Sequence, residues 1–420
     1  MLADTRPLRH PHFKRLWLAY IVTTIGAQIT VVTVPAQIWA ITADSAFVGL
    51  TGIFGLVPLV IFGLWGGAIA DVLDRRVVLL ISTSGLIITS SGFFLQAWLE
   101  WDNVWVILGL FALQQAFFGL NSPARTAILP SLVEPDELTG ANALNTTVMT
   151  FGAVAGPLIG GSLIPVLGYD LLYLLDAILL LATLYAVIRL PSLPASGSEK
   201  KAGLRSIWTG LRFTIANRII LMSFVVDLIA MIFGSPRVLV PQMANLDFGG
   251  PSDGDWRLAV LFASMPAGAF LGGVFSGWIS RVDRQGRAVT LAIIAWGLSM
   301  MGLGWAVHEA GGRVLPWFII AVGFFALGGA ADMASAALRQ TMLLQAATDT
   351  VRGRIQGVFF VVVVGGPRVA DIIHGPPASE IGAGPTTTVG GALVVVLTII
   401  AVALAPAFWR YRYSERTSSS

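Results

Sequence analysis

The sequence predicts an all-α integral membrane protein: 12 transmembrane helices folded as two six-helix bundles related by pseudo-two-fold symmetry. Three observations carry that prediction. Of 420 residues, 55% are hydrophobic and only 12% charged, and mean hydropathy is +0.79; soluble domains carry about 25% charged residues. The apolar residues fall into twelve runs, each near the ~20 residues that cross a bilayer as a helix. The two halves of the chain also echo each other.

In chain order the spans fall at about 16–41, 46–70, 77–99, 103–123, 140–165, 169–190, 217–246, 256–280, 287–308, 314–338, 354–382 and 386–409. The first run is long enough to span and lacks a small-residue cleavage site, so it reads as a helix rather than a signal peptide. The longest polar break, 191–216, holds Ser196, Gly197, Ser198, Lys200, Lys201 and Arg205. It divides the chain into an N-terminal bundle (1–190), a linker (191–216), a C-terminal bundle (217–410) and a short tail (411–420).

Charge sets the expected orientation. With the N-terminus inside, 22 of the 26 Lys and Arg residues fall in loops or flanks on that side. Glu100, Asp102, Asp170, Asp247, Asp253 and Asp255 fall on the other. The asymmetry predicts cytoplasmic termini.

Absences exclude several functions. There is no cysteine, hence no disulfide, thiol catalysis or cysteine metal site. The four histidines lack metal-ligand spacing, and no serine–histidine–acid set or soluble catalytic domain is visible. No Gly-Lys-Ser/Thr phosphate loop appears, which argues against ATP-driven pumping. The pI near 9.4 comes from loops without interleaved aromatics, so nucleic acid is not an expected partner. No cofactor and no enzyme activity are expected.

The echo lies in equivalent loops. Gly67-Ala68-Ile69-Ala70-Asp71-Val72-Leu73-Asp74-Arg75-Arg76 follows the second span, and Gly277-Trp278-Ile279-Ser280-Arg281-Val282-Asp283-Arg284 follows the eighth, 210 positions later. Glu134 to Gly140 precedes the fifth span, and Ala347 to Gly353 precedes the eleventh, 213 positions later. Two echoes at nearly one offset imply a duplicated six-helix unit.

The run Gly152-Ala153-Val154-Ala155-Gly156-Pro157-Leu158-Ile159-Gly160-Gly161 lies in the fifth span. Glycines four apart strip one helix face of side chains and let a neighbouring backbone approach. Pro157 removes the hydrogen bond to the Ala153 carbonyl, which predicts a bend there.

Twelve spans, a repeat of six and the 67–76 loop together resemble the major facilitator superfamily. That resemblance implies a latch on the cytoplasmic face, with Gly67 and Asp71 facing the N-terminal end of the eleventh helix near Arg352 and Arg354. Asp74 stands where the family usually has glycine, and Val72 where it has a basic residue. Arg75 and Arg76 are expected to pair with carboxylates or lipid phosphates. Gly152, Gly156, Pro157, Gly160 and Gly161 match the family's antiporter motif, which implies export rather than uptake. Pro123-Ala124-Arg125-Thr126-Ala127-Ile128-Leu129-Pro130, Ala141-Asn142-Ala143-Leu144-Asn145, Tyr173-Leu174-Leu175-Asp176-Ala177 and Arg352-Gly353-Arg354-Ile355-Gln356-Gly357 resemble the enterobactin-exporter and macrolide-efflux branch.

Charges inside spans are the remaining signal, because an ionised side chain at the bilayer centre costs at least ~3 kcal/mol and needs a partner or a wet cavity. Asp227 and Arg237 stand ten apart in the seventh span, too far to pair unless Gly234 and Pro236 bend it. Arg368 and Asp371 are three apart and can pair, with His374 one turn on along the same face. Asp332 sits among small residues of the tenth span. These groups are candidates to carry protons or orient substrate, against the plainer reading of structural pairing. For Asp176, in the sixth span, the plainer reading is preferred. Gln28 and Gln115 stand where relatives place an acid or an arginine; they can hydrogen-bond substrate but carry no proton. Any proton site is therefore expected in the C-terminal half. Trp39, Phe117, Phe118, Phe233, Phe324, Phe325, Phe359 and Phe360 are candidates to line a pocket.

The resulting expectation is a monomeric secondary transporter of the cytoplasmic membrane, in contact with lipid. It exports a small amphipathic molecule, by resemblance a siderophore or drug, by alternating access in antiport with protons. The rival readings are an uptake permease of the same fold and a non-transporting receptor or scaffold.

Overall fold

The computed structural model describes residues 4–70, 73–193, 212, 214, 215, 217–310, 314–346 and 349–412. Asp71, Val72 and most of the linker lie outside the described residues, as do the side chains of Arg352, Arg354, Phe359 and Phe360. Among the described residues there is no strand.

Ten helices among those residues are long and apolar enough to cross a membrane. One of them is Leu138–Ile188, a run of 51 residues that carries both the fifth and the sixth predicted spans. Its backbone leaves helical dihedrals at Gly168, with φ 71° and ψ 175°, a conformation that glycine enters at little cost. Pro157 and Pro165 lie inside the helix, and the break at Gly168 falls between the fifth and sixth predicted spans. The predicted eleventh span falls in Asp349–Ile381, with Pro367, Pro376 and Pro377 inside it. The seventh predicted span is matched by Arg218–Asp247, but it is not one continuous helix. Its helix, Arg218–Phe233, stops before Gly234, and the chain continues through Arg237–Leu239 and Val240–Gln242 into a π turn at Met243–Asp247. The Gly234 carbonyl freed by the break accepts from Trp296 Nε1 at 2.8 Å.

The chain divides into two compact units. The first comprises Met1–Ala43, Ile53–Gly203 and Pro251–Ala263; the second comprises Asp44–Gly52, Leu204–Gly250 and Ser264–Ser420. Each unit thus takes a short stretch from the other half of the sequence. Within the first, Phe13, Leu16, Leu79, Ile128, Leu132 and Val187 form a buried cluster. Within the second, Val226, Ile293, Leu338, Val394 and Phe408 do the same.

With apolar lipid around them, helices gain little by burying apolar surface, so close approach and satisfied polar groups matter more. In the second unit Gln285–Glu309 and Ala383–Leu404 cross on glycines. A Cβ on Gly297 would stand 2.9 Å from the Gly391 carbonyl oxygen, and one on Gly304 2.5 Å from that of Gly384. Buried hydroxyls return to their own helices, as Thr33 to Ile29 and Ser82 to Val78, both at 2.8 Å.

Two cations counted by charge pattern as loop flanks belong to helices. Arg125 lies inside Val104–Ile128, and Arg339 lies inside Val314–Ala346 with a side chain 3% exposed. Charge alone did not distinguish a cation near a helix end from one turned into the protein.

Candidate functional site

The loop after the second span ties helix ends together within the first unit. Asp74 caps the helix Arg75–Trp98 by accepting from Arg76 N at 2.9 Å, and also accepts from Ser192 Oγ at 2.6 Å and Leu193 N at 3.1 Å. Partial burial works against the charge, but these three hydrogen bonds outweigh it and hold the Asp74 carboxyl below the usual carboxylate range. The arginines find backbone carbonyl partners as well, and Arg76 also acts on the Asp74 carboxylate. Arg75 donates to the Ala127 carbonyl at 2.8 Å, and Arg76 to the Ile188 carbonyl at 2.7 Å. Both carbonyls lie in the last turn of a helix, where orphan acceptors and the negative end of the dipole favour a cation. Gly67 lies in the helix Thr51–Ala70 that leads into this loop.

The glycine face packs as its spacing predicts. Gly152 lies against Thr24, Gly156 against Gln28 and Gly160 against Ile29, so three successive turns of the fifth span ride on the first. A Cβ at Gly152 would stand 2.5 Å from Thr24 Cγ2, and one at Gly160 3.1 Å from Ile29 Cα. Gly161 faces elsewhere: a Cβ there would stand 2.7 Å from Ala259 Cα, in the stretch Pro251–Ala263 that belongs to the same unit. Gln28 is half-buried, with its Cβ against Gly156. Gln115 is half-buried on the Val104–Ile128 helix.

In the second unit the intramembrane charges form two groups. Asp227 pairs with Arg339, not with Arg237, and the two side chains are 1% and 3% exposed. Asp332 stands seven residues before Arg339 on one helix, two turns along the same face. It interacts electrostatically with both Arg339 and Asp227, and its Oδ1 has no hydrogen-bond partner. Asp227 alone is in contact with the guanidinium, and Asp332 is a second carboxyl within electrostatic reach of the pair. Arg339 is the residue that reading the spans missed, because it falls one position beyond the predicted tenth span.

The second group is the predicted one. Arg368 Nη1 lies 3.9 Å from Asp371 Oδ2, and Arg237 and His374 also act electrostatically on that carboxyl. His374 is 4% exposed. Its Nδ1 lies 2.9 Å from the Ala370 carbonyl oxygen and its Nε2 3.0 Å from that of Phe233. Both partners are backbone carbonyls, so the ring ties its own helix to the end of the seventh-span helix. Gly390 makes room, since a Cβ there would stand 2.9 Å from Nε2. The short helix Ser45–Gly49 packs on the same cluster, with a Cβ at Gly49 standing 2.7 Å from the Asp371 carbonyl oxygen.

One cation of the first unit rests on an aromatic ring. The Arg125 guanidinium lies 3.8 Å above the Tyr20 ring, and no ion pair accompanies it among the described residues. It is half-buried.

The predicted aromatic pocket does not assemble from the described residues. Trp39 and Phe325 are buried in packing, Phe117 fills the space above Gly85, and Phe324 that above Gly302, while Phe118 is exposed. Phe233 contributes its carbonyl to His374. A cavity of 460 Å³ in the first unit is lined instead by Gln37, Ala97, Glu100, Asp102, Tyr169 and Asp170.

Ten long apolar helices among the described residues, with an ion pair sealed among them, define a multi-pass membrane protein. The chain belongs to the major facilitator family described as transmembrane secretion effectors (MFS_3), whose profile matches residues 3–413. It is 27% identical over 407 residues to the enterobactin exporter EntS of Shigella boydii serotype 4, covering 93% of this chain and 92% of that one. The enterobactin exporter EntS of Escherichia coli O1:K1 matches to the same extent. The nucleoside transporter NupG superposes with a TM-score of 0.77 at 12% identity, over 94% of this chain and 100% of that one. A bacterial homologue of the iron transporter ferroportin, in an inward-facing state, gives 0.68 at 13% identity over 95% and 98%. At such identities these two share the fold alone.

Proposed function

We propose that the protein exports a small amphipathic molecule of siderophore type across the membrane by alternating access, in exchange for protons, with both termini cytoplasmic. The observation that carries the transport chemistry is the second unit's buried Asp227–Arg339 pair, with Asp332 as a further carboxyl within electrostatic reach of both. One cation balances one carboxylate. In a membrane interior the surplus carboxyl takes a proton and gives it up when water reaches it. Similarity to enterobactin exporters along nearly the whole chain supports export and a siderophore-like cargo. So does the bare face from Gly152 to Gly160, which lets the first and fifth spans slide at close range. Arg125 over Tyr20 supports an anionic, aromatic cargo, since a cation resting on a ring offers charge and a stacking surface together.

The test is transport into inside-out membrane vesicles with an imposed pH gradient and a catecholate siderophore as probe. Accumulation that collapses with a protonophore supports the reading, and absence of accumulation contradicts it.

A further inference from the structure

The first unit contains an acid that the expected C-terminal proton site does not use. Asp176 is 1% exposed. Its Oδ2 accepts from Thr30 Oγ1 at 3.0 Å and from Ser90 Oγ at 2.8 Å, while its Oδ1 has no hydrogen-bond partner. That free oxygen faces Gly26, where a Cβ would stand 2.6 Å away. The sixth span thus sets a carboxyl against a bare position of the first.

The surroundings decide its charge state. The first span contributes Gly26 and Thr30, the third contributes Ser90, and neither presents a charged or titratable group to it. The sixth span contributes Tyr173, whose hydroxyl is already committed to Gln37 Oε1 at 2.9 Å. Among the described residues no cation acts on the carboxyl. An ionised carboxylate has four acceptor positions and meets two donors here, in a dry setting with no counter-charge. A protonated carboxyl keeps both bonds to Oδ2 and places its proton on the oxygen that has no donor.

We propose that Asp176 is a proton-binding carboxyl of the first unit, and that its charging state governs how the first span packs. The geometry joins it to the glycine face. Gly26 and Thr30 lie one turn apart on the side of the first span that meets Asp176. Thr24 and Gln28 lie on the opposite side, against Gly152 and Gly156. Ionising Asp176 draws water or a cation to Oδ1 and separates the first span from the sixth. The first span then shifts along the fifth, where no side chains obstruct it. The reaction is a proton transfer alone: the O–H bond on Oδ1 breaks, water takes the proton, and the electron pair stays on the carboxylate.

This inference rests on the proton-driven reading, and its test separates the two. Infrared spectra of the full-length protein in lipid nanodiscs, wild type minus Asp176→Asn, are expected to show a protonated-carboxyl stretch at neutral pH that fades at alkaline pH. Ser90→Ala, which removes a donor to the ionised form, is expected to keep that stretch to higher pH. No such stretch in the wild type, or no response to Ser90→Ala, overturns the proposal whether or not transport is proton-driven. In proteoliposomes Asp176→Asn is expected to keep substrate counterflow and lose at least tenfold in gradient-driven accumulation. Unchanged accumulation there overturns the coupling role even if the stretch is present. If Asp176→Asn does not fold, the Ser90→Ala titration alone decides.

Discussion

Asp227 and Arg339, from two helices of the second unit, form an ion pair with both side chains almost fully removed from solvent. Removing one member of such a pair leaves a charge that the interior cannot solvate, typically at ~3–5 kcal/mol. Here Asp332 changes that expectation, because a second carboxyl already interacts with the same arginine.

Asp227→Asn alone is therefore expected to cost less than that full amount, and the double variant Asp227→Asn/Asp332→Asn to cost about 3–5 kcal/mol, since Arg339 then has no acid. Thermal melting of the purified variants checks the order. A double variant no less stable than the single one contradicts the electrostatic reach of Asp332 to Arg339.

His374 joins two helices through carbonyl oxygens of Ala370 and Phe233. His374→Phe is expected to destabilise the protein by about 1–3 kcal/mol, because the Phe233 carbonyl loses its buried partner. His374→Gln keeps one donor group in reach and is expected to recover part of that loss in the same melting assay.

Gly156 stands directly on Gln28 and Gly160 less tightly on Ile29. Gly156→Val is expected to cost about 1–3 kcal/mol through overpacking and to lower transport more than Gly160→Ala does. Equal transport rates for both variants, at matched amounts in the membrane, contradict the close-approach account.

Asp74 sets a pH dependence with a definite sign. Its carboxyl lies below the ordinary range when folded, so its contribution is complete above the unfolded value of about 3.9 and is lost as pH falls through the folded one. Asp74→Ala, which removes the cap, is expected to cost about 0.5–2 kcal/mol at pH 7. The difference from wild type is expected to shrink in melts taken at increasingly acid pH.

Orientation is testable directly because the chain has no cysteine. A single Ser418→Cys is expected to react with an impermeant maleimide only after the cell is opened, and Asp102→Cys in intact cells once the outer envelope is permeable. The reverse pattern contradicts cytoplasmic termini.

Much of this was legible from spacing alone. Gly152, Gly156 and Gly160 were readable as one bare face because a helix has a fixed period, and the three do pack on one neighbour. Arg368 and Asp371 were readable as a pair because three residues is nearly one turn. What was not legible required a partner from elsewhere in the chain. Arg339 looked like one more positive flank, and nothing in its own segment says that Asp227 meets it. Asp176 looked like an interface charge, yet it lies sealed against Gly26, Thr30 and Ser90. The turn at Gly168 falls in the gap between the fifth and sixth predicted spans, where a positive φ redirects the chain.

The central claim is that a proton gradient drives a siderophore-like molecule through this protein, with protons held on buried carboxyl groups. Its most direct test is gradient-driven accumulation of a catecholate siderophore in proteoliposomes holding the wild type, Asp227→Asn or Asp371→Asn. The account predicts accumulation in the wild type that disappears with a protonophore and is at least tenfold lower in both variants. Variants that accumulate the probe as the wild type does, with the same dependence on the gradient, would contradict it.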